Sequence, residues 1–253
     1  MRHLWEGYRR KTAHGWRARE SEWALRDINF AVAGGEILGV VGGNGSGKTT
    51  LLQCLAGVLR PTRGNLTIQG RVGSLVDATG FHPDLTGREN IRVLATLMDL
   101  GSRRTVDVLR GAEDLSELGE DVLVAPIRTY SAGMGLRLGL GLVLAAEPDV
   151  LLVDEVLAVG DEHFQTAAWL SIRKLAASGS SVVVVSHRLD DIARNCCRVL
   201  VLRDGEVSVL GAPEEALDRY RADMGDLVHQ PAPPTRWEFS FHQHRSHRSA
   251  RRR

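Results

Sequence analysis

Aromatic side chains make up 5% of the 253 residues, and cysteine occurs three times. Cys54, Cys196 and Cys197 show no metal-ligand or redox spacing, which excludes a zinc ribbon or a disulfide-built scaffold and fits a reducing compartment. No apolar run approaches the ~20 residues needed to cross a bilayer. The longest, Leu136 to Ala146, is short and has glycines within it. The N-terminal stretch MRHLWEGYRRKTAHGWRARE is basic but lacks the apolar segment of a secretory leader. One-signed charge is lacking too. Lys and Arg number 32 against 31 Asp and Glu, a net charge of +1, which argues against a nucleic-acid partner. With 43% hydrophobic and 25% charged residues the composition is that of an ordinary globular protein.

What the chain does have is glycine in one place. The stretch VVGGNGSGKTTLL, Val40 to Leu52, puts four glycines within six residues and follows them with Lys-Thr-Thr. Before it, Glu36 to Val41 reads as a short buried strand. After it, Leu51, Leu52, Leu55, Ala56 and Leu59 fall at helical spacing. A Gly42-x-x-x-x-Gly47-Lys48-Thr49 pattern on a strand-to-helix turn is a P-loop. Its inward-pointing N–H groups cradle phosphates, and the helix N-terminus favours an anion. The cradle is read as Gly42, Asn44, Gly45, Ser46, Gly47, Lys48, Thr49 and Thr50. Lys48 reaches the β- and γ-phosphates and the Thr49 hydroxyl is a Mg²⁺ ligand. ATP and Mg²⁺ are therefore the expected nucleotide and metal.

Strand and helix signals alternate along the chain. Ala24 to Val32 alternates as a strand, and RPTRGNLTIQGRVGSLV reads as turn, strand, turn, strand. Thr86-x-x-Glu89 is a capping box opening a helical stretch to Gly119 that breaks at Gly101-Ser102. A helix from Ser131 to Ala146 precedes the buried strand DVLLVDE. A helix from Phe164 to Ala177 precedes a second, SSVVVVSH. RVLVLRDGEVSVL is a hairpin about Asp204-Gly205, and a short helix spans Pro213 to Tyr220. This order predicts an α/β fold with a covered parallel sheet. Residues 1–20 read as a basic lead, residues 21–227 as the folded part with a helical subdomain over about 82–146, and residues 228–253 as a disordered His- and Arg-rich tail.

A P-loop alone leaves kinases, GTPases, helicases and transporters open. Three later segments narrow the choice. VLLVDE has the form of a Walker B strand, with Asp154 placed to hold Mg²⁺ and Glu155 to accept a proton from an attacking water. VVVVSHR puts His187 at another strand end, on the sheet edge where α/β folds bind ligands. TYSAGMGLRLGL places Ser131 and Gly133 at a helix start.

In this order the motifs resemble those of the ATP-binding cassette (ABC) ATPases, from Trp23 to Tyr220. The family signature Leu-Ser-Gly-Gly-Gln stands here as Tyr130-Ser131-Ala132-Gly133-Met134, and the D-loop as Leu157 to Asp161, with Asp161 retained. The resemblance implies a P-loop NTPase fold with a RecA-like parallel-sheet core, a small antiparallel β subdomain and an α-helical signature subdomain. It implies catalysis by Lys48, Glu155 and His187, with Ser131, Gly133 and Asp161 added to the nucleotide site. Two copies would sandwich two ATP molecules and drive a separate membrane permease, held at the cytoplasmic face of the membrane.

YSAGM, DEVLAVGD, FHPDLTGREN and EWALRDINF are similar to one branch, the cassettes that energise export of O-antigen-type polysaccharide and teichoic acid, whose permeases are of the ABC-2 type. Two departures stand out. No Gln occurs in GRVGSLVDATGFHP, so Asp77 is the candidate for the Q-loop position and its Mg²⁺ contact. No family-type opening strand precedes EWALRDINF, which leaves Tyr8, Trp16 and Trp23 as candidates to stack on adenine. The permease contact is expected around Asp77 to Asn90. The competing readings are a soluble P-loop ATPase, a small-molecule kinase, and a regulatory nucleotide-binding protein without turnover.

Overall fold

The computed structural model describes residues 4–7, 23–75, 80–98, 102–155, 157 and 161–228. Its strands are β1 (Leu4–Gly7), β2 (Trp23–Ile28), β3 (Ile37–Gly42), β4 (Arg63–Gly64), β5 (Val72–Leu75), β6 (Val150–Asp154), β7 (Ser181–Val185), β8 (Arg198–Arg203) and β9 (Glu206–Gly211). Its helices are α1 (Lys48–Leu55), α2 (Gly87–Leu97), α3 (Ser102–Ser116), α4 (Glu120–Leu123), α5 (Ala132–Ala145), α6 (Glu162–Ala177), α7 (Leu189–Asn195) and α8 (Pro213–Val228).

Six strands form one sheet in the order β5-β6-β7-β3-β8-β9. The first five are parallel and β9 returns antiparallel to β8. The return uses two residues, Asp204 (φ 49°) and Gly205 (φ 80°), the left-handed pair of a type I′ hairpin turn. The central strands are Val- and Leu-rich because both their faces are buried. Leu38, Val40, Leu152, Val183, Val185 and Leu200 pack on one side with Leu51, Leu52 and Leu55 of α1. Val41, Leu151, Val153, Val182, Val184 and Val201 pack on the other with α5, α6, α7 and α8.

A second, antiparallel sheet has the order β2-β1-β4. Its middle strand, β1, lies inside the stretch that the sequence reads as an irregular lead. Leu4 pairs with Ile28 on one side and with Gly64 on the other. Such a strand carries no alternation of its own and exists by its two partners. The expected strand over residues 65–69 does not form. Leu66 and Ile68 are half-buried and Asn65, Thr67 and Gln69 exposed, but the segment has no ladder partner among the described residues and lines a cleft of about 890 Å³ at the end of the sheet where β6 and β7 begin.

A third core joins α2, α3, α4 and α5 through Ile91, Ala95, Val108, Ala112, Leu123, Leu138 and Leu142. It explains the apolar run noted above. Helix α5 gives Leu138 and Leu142 to this core, and Leu136, Leu140 and Val143 to the sheet. A helix buried on both sides is apolar all round, and each fully buried Leu contributes ~1.5–3 kcal/mol. Contact with α3 is close enough to need a glycine. A Cβ on Gly141 would lie 2.6 Å from the Ala112 carbonyl oxygen.

Candidate functional site

Strand register assembles the site. Val40 of β3 and Asp154 of β6 both lie opposite Val185 of β7. The chain continues from that level into Gly42 and the P-loop after β3, into Glu155 after β6, and into Ser186 and His187 after β7. Three segments remote in sequence therefore emerge side by side at one edge.

The P-loop is a turn only glycine can make at its end. Gly47, the residue before α1, has φ 103°, and a Cβ there would sit 2.7 Å from Leu25 Cδ2 and 2.8 Å from the Ala24 carbonyl oxygen. From behind, the hairpin turn supports the loop, since the Gly205 N–H donates to the Ser46 carbonyl at 3.2 Å. The Ser46 hydroxyl is buried and has no hydrogen-bond partner among the described residues. A buried hydroxyl left unmet costs ~1–3 kcal/mol, so this orphaned group suits a loop that closes around polar atoms. Lys48 is 7% exposed. Its Nζ donates to the carbonyls of Gly42 (2.9 Å) and Gly43 (3.0 Å). Burial pushes its ammonium pKa down, while the Glu155 and Asp154 carboxylates pull it back up. Asn44, Gly45 and Thr49 line the exposed side of the turn, and Thr50 is half-buried behind it.

Glu155 and His187 meet. The Glu155 N–H is fixed to the Val185 carbonyl at 2.9 Å, and His187 Nε2 lies 2.6 Å from Glu155 Oε1. Asp154 and Glu155 are half-buried and His187 is exposed. Carboxylate, imidazole and ammonium thus share one partly open edge.

Ser131 and Gly133 sit elsewhere, at the N-terminus of α5. Ser131 caps the helix. Its Oγ accepts the Met134 N–H at 3.2 Å, and its own N–H points to Met134 Sδ at 3.4 Å, so methionine fills the place of the acceptor in a capping box. Asp161 is committed within the chain. Oδ1 accepts the Phe164 N–H at 2.7 Å, capping α6, and Oδ2 accepts from Arg137 Nη2 at 3.0 Å. The Phe164 N–H, with help from Arg137, holds its carboxyl below the usual range. Asp77, Tyr8 and Trp16 lie outside the described residues. Trp23 opens β2 with the Arg63 guanidinium 5.5 Å above its ring.

Sequence patterns do not reveal the contacts of two further residues. Arg137 ties α5 to the start of α6 through Asp161 and covers the Phe164 ring at 5.0 Å. Asn90 is 2% exposed. Its Oδ1 accepts the His82 N–H at 2.6 Å, and its Nδ2 donates to the carbonyls of His82, Leu85 and Thr86. Their side chains reach across turns that a linear pattern does not reveal.

The residues suit Mg²⁺ by donor type. Thr49 offers a hydroxyl and Asp154 a carboxylate, hard oxygen ligands of the kind Mg²⁺ takes in small number beside phosphates and water. Among the described residues no three His, Cys, Asp or Glu side chains converge into an all-protein cage.

The family model for ABC transporters matches residues 25–158. This chain belongs to the ABC transporter family. The cassette is 42% identical over 202 residues to the O-antigen export system ATP-binding protein RfbB of Klebsiella pneumoniae, covering 79% of this chain and 82% of that protein. It is 35% identical over 201 residues to the teichoic acids export ATP-binding protein TagH of Listeria monocytogenes, covering 79% of this chain and 60% of that longer one. Its fold matches a dimeric post-hydrolysis state of the cassette MJ0796 bound to ADP and Pi, at TM-score 0.73 and 23% identity, over 84% of this chain and 99% of the other. Among its described residues no helix is long and apolar enough to cross a membrane.

Proposed function

We propose that this cassette is the ATP-hydrolysing subunit of an exporter for a cell-surface polysaccharide or teichoic acid, working at the cytoplasmic face of the membrane on an ABC-2-type permease. One observation carries the catalytic half, the contact of His187 with Glu155 beside a buried P-loop lysine. The identity with O-antigen and teichoic acid export proteins supports the transport half.

Lys48 and the P-loop N–H groups bind the phosphates of ATP. Thr49 and Asp154, with Asp77 in the Q-loop position, would hold Mg²⁺, whose chemistry when bound would be to neutralise phosphate charge. Glu155 takes a proton onto its carboxylate from a water whose oxygen attacks the γ-phosphorus. The bond from that phosphorus to the β–γ bridging oxygen breaks, and ADP and phosphate result. His187 orients the Glu155 carboxylate and meets the γ-phosphate. Ser131 and Gly133 of a second copy close the site from the far side. The chemistry is positioning and charge stabilisation around an in-line displacement.

Phosphate release by the purified chain, alone and with its permease in vesicles, tests this reading. Turnover that rises with the permease is expected. Absence of turnover in both preparations overturns it.

A further inference from the structure

The residue before the signature serine is a tyrosine, and its hydroxyl has a single-purpose seat. Tyr130 is half-buried, and its Oη donates to the Val122 carbonyl at 2.6 Å, at the end of α4. The ring lies over Gly87, the first residue of α2. A Cβ on Gly87 would fall far inside van der Waals contact of the phenol oxygen and 3.2 Å from the carbon bearing it. The glycine is therefore the seat of the phenol. Burial raises the Tyr130 pKa, so the phenol stays a protonated donor at neutral pH.

The same two chain segments are stitched together beside it. Gly87 N–H donates to the Ala125 carbonyl (3.2 Å), Ile127 N–H to Leu85 (2.9 Å), and Arg128 N–H to Pro83 (2.9 Å). Arg128 Nη1 also meets Asp84 Oδ1 at 2.6 Å. Asn90 fixes the 82–86 turn from inside. The turn that leads into Ser131 is thus bonded to residues 83–87 through Ala125, Ile127 and Arg128, while Tyr130 packs on Gly87 and its hydroxyl ties the turn back to Val122.

We infer that Tyr130 and Gly87 form a latch that positions Ser131 and makes the signature turn move as one body with residues 82–87. The inference rests on the functional reading above, in which Ser131 closes the nucleotide site of the other copy, and on the permease contact expected around Asp77 to Asn90. Tyr130 acts through Ser131 and is a positioning residue, not a catalytic one. The latch gives the permease a direct mechanical line to the signature serine.

A double-mutant cycle of Tyr130→Phe and Gly87→Ala in the full chain tests it. Melting comes first and needs no ATP. Gly87→Ala should lower the melting temperature more when made in the wild-type chain than when added to Tyr130→Phe, because the clash is with the hydroxyl. ATP affinity of the monomer, by calorimetry, should stay within about twofold in all variants, since no P-loop group moves. Turnover at saturating ATP should fall about three- to tenfold in Tyr130→Phe, the worth of one hydrogen bond. It should fall further in Gly87→Ala and recover towards the Tyr130→Phe level in the double variant. Purely additive melting effects overturn the contact. Coupled melting with unchanged turnover in Tyr130→Phe overturns the positioning role. A wild-type chain without turnover would instead overturn the functional reading, with the melting cycle still deciding whether the latch exists.

Discussion

His187 Nε2 stands 2.6 Å from Glu155 Oε1 although 32 residues separate them. The ladder explains it. Asp154 pairs with Val185, so the residue after one strand and the second residue after the other reach the same height on the edge. The imidazole faces a carboxylate whose charge, with that of Asp154, raises the Lys48 pKa against the effect of burial.

Glu155→Gln removes the proton acceptor and keeps the shape. Turnover should drop by ~10²–10⁴, the range for a general base, while ATP binding persists and an ATP-bound dimer accumulates on size exclusion. An unchanged turnover rate would remove Glu155 from the role of base.

Lys48→Ala removes the buried ammonium together with its bonds to Gly42 and Gly43. Charge-assisted bonds of ~1.5–3 kcal/mol correspond to about 10- to 100-fold in ATP affinity, readable by calorimetry. The melting temperature should change little, because the variant also relieves the cost of burying a cation. Equal affinity in the two proteins would rule out phosphate binding by Lys48.

Ser131→Arg places a long cation at an exposed cap. Monomer affinity for ATP should remain near that of wild type, and the ATP-dependent dimer should be lost. Wild-type turnover in this variant would mean that Ser131 faces no second copy.

Glu89 offers a test in pH. Its carboxylate accepts from the Thr86 N–H at 2.8 Å and from the Thr86 hydroxyl at 2.9 Å. The Thr86 N–H is the main cause that holds its carboxyl below the usual range. A carboxyl lowered by folding stabilises fully above its unfolded pKa of ~4.3 and loses that contribution as pH falls through the lower folded value. The melting temperatures of wild type and Glu89→Ala should therefore differ at neutral pH and converge in acid. A constant gap would show that the cap acts through packing alone.

What can be read from the sequence is what local chemistry dictates. The P-loop is legible because strand, glycines, lysine and helix are contiguous. The Asp204-Gly205 turn and the Thr86–Glu89 box are legible for the same reason, each being complete within four residues. Strand β1 is not, because four residues without alternation are held only by β2 and β4. Residues 65–69 mislead in the opposite direction, with alternation but no ladder partner among the described residues. Helix α7, seven residues long, is too short to announce a period. Helix α8 runs past Tyr220 to Val228. The contacts of Tyr130 with Val122 and of Arg137 with Asp161 depend on how helices stack, and no spacing rule encodes them.

The same contacts decide how permease docking should be probed. Charge reversal at Arg88 or Glu89 looks like the natural test, since both lie within the expected contact stretch. The structure shows that both are already employed inside the helical region. Arg88 grips Glu113 at 2.7 and 3.0 Å, and Glu120 at 2.7 Å through two bonds. Glu89 closes the α2 cap. Reversing either would disturb the fold before it disturbed a partner. His82 is the cleaner probe. It is exposed, and among the described residues its side chain accepts one weak bond, from the Asp84 N–H at 3.3 Å. His82→Glu should leave melting and monomer ATP affinity unchanged and reduce recovery of the chain with its permease. Basic residues at the chain ends add only ~1 kcal/mol each near anionic lipid, an attraction that salt screens. Expressed alone, the chain should therefore leave the membrane fraction in high salt, and co-expression with the permease should retain it there. Salt-resistant retention without any permease would mean that the chain anchors itself, and docking at the His82 turn would no longer be needed to explain its place.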